Sequence, residues 1–422
     1  MSSAFPYRGS RMFAENVPLA HIAEAVGTPC YVYSRAAIET HWRQFDSAFG
    51  SRRHRVCYAV KANGSLAVLN LLARLGSGFD IVSAGELGRV LAAGGSAGGV
   101  VFSGVGKSRL EIEAALRRQI LCFNAESAAE LERLQEVAVA LKVRVPVSLR
   151  VNPDVDAQTH PYIATGLRDS KFGIPLTEAA QLVQEWARFD QLDLVGLDCH
   201  IGSQLTSLAP FEDALARVLD FAGKLVDQGC ALRHLDVGGG LGVRYQDEEP
   251  PAPEAYVAAV CRALQESRVP ELEILIEPGR AIVAAAGVLL TRVEYLKQTA
   301  TKHLAIVDAG MNDMIRPALY GAWHPLDPIE TRAGQATTYD VVGPVCESTD
   351  VLARDRALVI EAGDVLAMGM AGAYGMSMAS NYNSRPLPAE VMVDRDRFTI
   401  IRQRQSETAL WMGERLLSGA DE

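Results

Sequence analysis

Several short apolar runs of this 422-residue chain carry a chemically useful side chain at or just beyond their carboxyl end. Lys61 closes Val56–Val60, Asp80 lies within Phe79–Val82, His200 ends Leu194–His200, Gly238, Gly239 and Gly240 follow Leu232–Val237, and Glu277 to Arg280 follow Leu272–Ile276. A lysine held where water is scarce has its pKa lowered, and its neutral amine can then add to an aldehyde. In open solvent the same lysine is only a charged strand end. A lone histidine is more often a hydrogen-bonded loop residue than a catalyst. The run Gly238-Gly239-Gly240-Leu241-Gly242 is not a dinucleotide fingerprint, because Val243 stands where the last glycine belongs. It suits a cradle of backbone N–H groups for a phosphate. Glu277 and Arg280 could be a structural loop pair. What raises all of these above their ordinary readings is that they share one position relative to the runs before them.

Those runs are β-like, and there are eight: Val56–Val60, Phe79–Val82, Val100–Ser103, Leu121–Asn124, Val145–Val151, Leu194–His200, Leu232–Val237 and Leu272–Ile276. Helical periodicity fills most gaps, at Leu66–Leu75, Glu86–Ala93, Arg109–Arg118, Glu126–Leu141, Thr177–Arg188, Phe211–Asp227 and Pro253–Glu266. Such alternation demands an α/β fold with a parallel sheet. Eight units closing on themselves make a (β/α)8 TIM-type barrel, with a doubly wound open sheet as the other arrangement it allows. Barrel enzymes place their active sites at the carboxyl ends of the strands, often with a phosphate site after strands seven and eight. Beyond about Gly287 the texture changes to strand-like runs at Val293–Leu296, Leu304–Val307, Thr338–Val345, Leu358–Ile360, Val391–Val393 and Phe398–Ile401. This predicts a barrel over 34–285 and a mainly β domain, sandwich-like or barrel-like, over 286–422. Residues 1–33, with the strand-like Cys30–Tyr33, would join that β domain.

Composition narrows the function classes. A formal net charge of −10 gives no broad basic field, so nucleic acid is not an expected partner. Seven cysteines without a C-x-x-C pair fit a reducing compartment, which predicts the cytoplasm. The apolar run Ala281–Leu290 is too short to span a bilayer, so no membrane role is expected. The eight histidines show neither H-E-x-x-H nor paired spacing with cysteine, and no metal is expected.

Taken in order, Tyr58–Asn63 (YAVKAN), Phe79–Glu86 (FDIVSAGE), His200–Gln204 (HIGSQ), Gly238–Gly240 and Glu277–Arg280 (EPGR) resemble the signature set of the fold type III pyridoxal-phosphate-dependent decarboxylases, and the match runs along the whole chain. Met311–Tyr320, Cys346–Ser348, Ala373–Gly375 and Asn381–Arg385 resemble the branch of that family that converts meso-diaminopimelate into L-lysine and carbon dioxide, the last step of lysine biosynthesis.

The resemblance implies a role for each matching residue. Lys61 would form the internal aldimine with pyridoxal 5'-phosphate, and Asp80 would lie in the cofactor site. Glu277 would pair with the pyridine nitrogen, favouring a quinonoid after carbon dioxide leaves. His200 would stack on the ring, and Ser203, Gly238, Gly239, Gly240, the Pro278-Gly279-Arg280 backbone and Tyr374 would hold the phosphate. Arg280, Arg316 and Tyr320, with Tyr374, would bind the distal carboxylate of the substrate, and Glu347 its distal ammonium. Cys346 would return a proton to the α-carbon and, with Glu347, would come from the neighbouring subunit of a homodimer. Without the resemblance, Cys346 reads as a small buried thiol. Two rivals remain. An amino-acid racemase of similar fold would place arginine, not a carboxylate, against the ring nitrogen. A non-catalytic carrier of the cofactor would leave the β domain and its polar residues without a task.

Overall fold

The structure, a computed structural model, describes residues 4–155 and 171–417 and divides into two compact units, Ala37–Ala284 and Met1–Ala36 with Ala285–Glu422. In the first, eight strands run parallel and close on themselves: His54–Ala59, Gly78–Ile81, Val100–Phe102, Cys122–Ala125, Val145–Asn152, Leu192–Asp198, His234–Asp236 and Glu273–Ile276, the last pairing with the first. The alternation therefore resolves as the closed barrel and not as the open sheet. Strand boundaries differ from expectation at two sites that matter. The first strand ends at Ala59, so Lys61 sits beyond it in a 3-10 turn, Val60–Ala62, and the sixth ends at Asp198, two residues before His200.

Serine sets the start of three successive barrel helices. Ser83, Ser108 and Ser127 each accept a hydrogen bond from the amide three residues on, at Glu86, Glu111 and Glu130, and at Ser108 the glutamate side chain reciprocates in a capping box. Each cap satisfies an N–H that would otherwise be stranded at a helix end. It also fixes where the chain leaves the strand, and so where the strand's last side chain faces.

Inside the barrel the filling changes along the axis. Cys57, Val101, Cys122, Val195 and Leu275 form a dry cluster. Two residues further along three of the same strands, on the same face by the period of a strand, stand Ser103, Asn124 and Glu277. Asn124 donates to Ser103 at 3.2 Å, and Ser103 lies 3.5 Å from a Glu277 oxygen. The barrel is thus an apolar plug with a polar layer resting on it.

The second unit is a mixed sheet around one long strand, Gly287–Gln298. Its first half pairs with Cys30–Ser34 and Val365–Met368, and its second half with His303–Val307. Cys30–Ser34 also runs parallel to Ala389–Asp394, so the amino-terminal strand joins the β domain from its middle. A core of Cys30, Val32, Val288, Leu290, Val391 and Val393 backs these pairings. The expected strand Leu358–Ile360 is the tail of Val351–Leu358, and Val365–Met368 had not been anticipated. All seven cysteines are free thiols, and among the described residues no helix is long and apolar enough to cross a membrane.

Candidate active site

At the carboxyl ends of the barrel strands, the Lys61 amine is ion-paired with Asp80, which is fully buried on the neighbouring strand, while the lysine side chain keeps 36% exposure. A buried carboxylate holds the amine at the mouth. Beside them Asp198 and Asp236, the last residues of two neighbouring strands, and Glu277, just past the end of the next, each bring an oxygen within 4.8 Å of the others. So many carboxyl groups in so little solvent do not all ionise. Burial first, and then the charges of Asp236 and Asp80, push Glu277 well above the carboxylate range; Lys61 opposes this. Burial and Asp236 do the same to Asp198, and burial lifts Asp236 to about 6. The side chains of Asp236 and Glu277 approach closely in this group, and both are raised, so protonation of one eases the charge on the other. The spacing would also receive a cation. Arg150 limits the accumulated charge, meeting Glu126 at 2.9 Å and Asp198 at 3.7 Å.

His200 accepts at Nδ1 from the Gly239 amide at 3.0 Å, which leaves Nε2 to carry the ring proton. Burial, followed by the cations Arg150 and Lys61, lowers its pKa well below the usual range, so the imidazole is neutral. The glycine loop is pressed between the turns after strands six and eight. A Cβ on Gly238, at φ +65°, would stand 2.8 Å from the Cys199 carbonyl oxygen, and one on Gly239 would collide with the Glu277 carbonyl. The Gly238 amide donates to Asp236 at 2.9 Å, so the first two glycines use their amides to tie the loop to Asp236 and His200. Arg280, buried, donates to the Tyr245 hydroxyl at 2.7 Å and to Ser203 at 3.0 Å. Sequence reading had singled out Lys61, Asp80, His200, Ser203, Gly238 to Gly240 and Glu277 to Arg280, and the structure gathers them at this mouth. It had missed Asp198, Asp236, Arg150 and Tyr245. The two aspartates were visible as lone acids inside apolar strands, one pleat before His200 and Gly238.

Arg316, Tyr320, Cys346, Glu347 and Tyr374 all belong to the β unit. Arg316 and Tyr320 are the first and last residues of a five-residue helix that carries Pro317 in its first turn and stops at Gly321 in left-handed conformation. Four residues apart, they share a face. Arg316 is buried and donates to His324 at 2.8 Å. Cys346 and Glu347 are exposed. The Cys346 amide donates to Asn383 at 2.8 Å, and Glu347 accepts from the Tyr382 hydroxyl. Asp350 spans the two loops of this region, accepting from Met311 N at 2.6 Å and Val345 N at 2.7 Å. Tyr374 is half-buried at φ +56°. His324 and Asp350 carried no signal in spacing or type that set them apart, and Tyr382 fell inside the Asn381–Arg385 motif without a role of its own.

The barrel mouth fits a phosphorylated pyridine aldehyde: an amine at its rim, a buried carboxyl and a neutral imidazole for the ring, and a close-packed glycine loop beside a guanidinium for the phosphate. A family profile described as "Pyridoxal-dependent decarboxylase, pyridoxal binding domain" matches residues 35–284. The diaminopimelate decarboxylase of Vibrio cholerae is 57% identical over 407 residues, covering 96% of this chain and 97% of that protein. That of Pseudomonas aeruginosa is 56% identical over 98% of this chain and 99% of its own length. The solved structure of the Helicobacter pylori diaminopimelate decarboxylase complexed with L-lysine superposes with a TM-score of 0.90 at 43% identity, over 93% of this chain and 98% of that one. This chain is therefore a member of the pyridoxal-dependent decarboxylase family, in its diaminopimelate decarboxylase branch, and pyridoxal phosphate is its cofactor.

Proposed function

We propose that the protein decarboxylates meso-2,6-diaminopimelate to L-lysine and carbon dioxide as the last step of lysine biosynthesis. The observation that carries this reading is the buried Glu277 carboxyl in the field of Lys61, at the same mouth as Arg280 and the glycine loop. Pyridoxal phosphate, when bound, supplies an aldehyde for the substrate amine and a pyridinium ring that takes up the electron pair of the breaking C–C bond. Lys61 would anchor the cofactor and yield to the substrate amine. Asp80, already paired with Lys61, holds that amine in place at the mouth. Glu277 would offer the ring nitrogen its carboxyl, with the charge of Asp236 beside it raising its pKa. His200, neutral, can lie against the ring without adding a charge. Ser203, Gly240 and the Pro278-Gly279-Arg280 turn would hold the phosphate, with Tyr374 as a further hydroxyl.

Arg280, Arg316 and Tyr320 would take the distal carboxylate, since a planar guanidinium can meet both its oxygens. Glu347 would read the distal ammonium. A substrate with both groups at its far end explains that pairing, whereas ornithine or arginine has no distal carboxylate to neutralise. Cys346 would hold a proton at Sγ and deliver it to the substrate α-carbon after carbon dioxide has left. Its exposure and that of Glu347 suit residues that serve a second subunit, so the working form is a homodimer in which the partner subunit's Cys346 completes the barrel mouth. Residues 34–285 then form the cofactor domain, and 1–33 with 286–422 supply substrate and interface residues.

The test is product analysis. Purified holoprotein given meso-diaminopimelate should release carbon dioxide and L-lysine in equal amounts, and Lys61→Ala should lose at least about a thousandfold in rate. Carbon dioxide from L-ornithine or L-arginine in preference would overturn the substrate while leaving the cofactor site standing.

A further inference from the structure

We infer that His324 is the residue that sets the guanidinium of Arg316 for the substrate's distal carboxylate, and thereby a determinant of substrate specificity. The inference rests on the proposed role of Arg316. A long side chain at the start of a five-residue helix is not fixed by that helix, and freezing its torsions costs free energy unless a partner holds it. The chain supplies one by turning back. After Gly321 the backbone reverses, with the Gly321 amide bonded to Pro317 O at 3.0 Å, and His324 arrives against the arginine it follows.

His324 is itself held from several sides. It has 0% exposure. Its Nδ1 lies 2.9 Å from the Gly369 carbonyl oxygen, and its own carbonyl accepts from Arg356 Nη2 at 2.8 Å. The Arg356 guanidinium lies 4.2 Å over the neighbouring Trp323 ring, which pins the segment further. The partners decide the tautomer. A guanidinium only donates, so Nε2 must accept from Arg316; a carbonyl only accepts, so Nδ1 must carry the hydrogen. The imidazole is therefore neutral, and a protonated ring would set two cations 2.8 Å apart. A neutral acceptor has a consequence that an acidic one would not. It aims the guanidinium without cancelling its charge, whereas a carboxylate in the same place would form an ion pair and compete with the substrate's own carboxylate. His324 acts through Arg316 and is a positioning residue.

The two bonds can be separated by amides of different reach. The amide of glutamine extends to the place of Nε2 and can still accept from Arg316, while that of asparagine extends only to the place of Nδ1 and keeps the Gly369 bond alone. In the holoenzyme, His324→Asn should raise KM for meso-diaminopimelate about tenfold or more, with kcat changed less than about threefold, and His324→Gln should recover most of the loss. Competition supplies a readout that general damage would not give. The inhibition constant of L-lysine, which keeps the distal carboxylate, should rise with KM, while that of 1,5-diaminopentane, which has none, should not move. Arg316→Lys is the control for the underlying reading. If it leaves KM unchanged, the role of Arg316 fails and the inference with it; if it raises KM while His324→Asn does not, the positioning role alone fails. Should His324→Asn not fold, nitrogen-15 spectra of histidine-labelled wild type, with the His324 signals assigned through His324→Gln, decide the matter. A neutral ring protonated at Nδ1 is the expected state, and protonation at Nε2 or at both nitrogens would overturn the inference.

Discussion

Asp236 and Glu277 bring oxygens within 4.8 Å of each other in the polar layer of the barrel, and burial raises both, which makes this site sensitive to pH before any ligand is considered. Burial lifts Asp236 to about 6 in the folded chain, against an ordinary carboxylate near 4 when unfolded. A raised carboxyl stabilises the fold while it holds its proton in both states, below about pH 4, and that contribution is lost as pH climbs toward the folded value. Asp236→Asn keeps an acceptor for the Gly238 amide and cannot ionise, so it removes the penalty of ionisation. The cofactor-free variant is expected to melt above wild type at pH 7.5, by on the order of 1–3 kcal/mol, with the gap narrowing as pH falls from 6 toward 4. A gap that is constant over that range would mean that Asp236 does not titrate with folding. Thermal melts of the two proteins across that pH range provide the measurement.

Loops after consecutive strands carry this chemistry, and their packing is tight enough that one methyl group should be felt. Gly239→Ala would drive its Cβ into the Glu277 carbonyl, which can yield only by shifting the turn that aims Glu277. The expected result is a loss of about 1–3 kcal/mol in stability and weaker binding of pyridoxal phosphate, read from urea melts and from absorbance titration. Gly76→Ala, where a Cβ meets nothing within 4 Å, isolates the cost of a positive φ (+92°) from that of a collision. These loops were legible in the amino-acid sequence because a barrel strand is a short apolar run, and whatever chemistry it serves comes at its end. Lys61, His200, Gly238 and Glu277 were found by that rule. Strand ends were misjudged by one residue before Lys61 and by two at His200, since apolar Val60 and Cys199 extend the pattern past the last ladder hydrogen bond. Asp198 and Asp236 were passed over for the opposite reason: acids within an apolar run read as interruptions until closure of the barrel turns them inward. In the β domain, His324 and Asp350 act through hydrogen bonds to residues 8 and 39 positions away. No local pattern reports such pairs.

The chain commits its two ends to one unit and its middle to the other, so the barrel is inserted between Cys30–Ser34 and the strands that flank it, Gly287–Gln298 and Ala389–Asp394. Loss of the amino-terminal strand would therefore open the middle of the β sheet and not its edge. The division of labour follows the same line. The barrel carries Lys61, Asp80, His200, Glu277 and the glycine loop; the β unit carries Arg316, Tyr320, Cys346 and Glu347. The central claim, a decarboxylase whose site joins Lys61 of one subunit to Cys346 of another, is tested most directly by mixing two inactive variants. Lys61→Ala and Cys346→Ala, each purified as holoprotein or apoprotein with cofactor restored, are dissociated together, reassociated, and assayed for carbon dioxide release from meso-diaminopimelate. Half of the reassorted dimers would contain one site with both residues intact, so about a quarter of wild-type activity should return, from parents that have almost none. Mixtures no more active than the parents, although heterodimers have formed, would contradict the shared site.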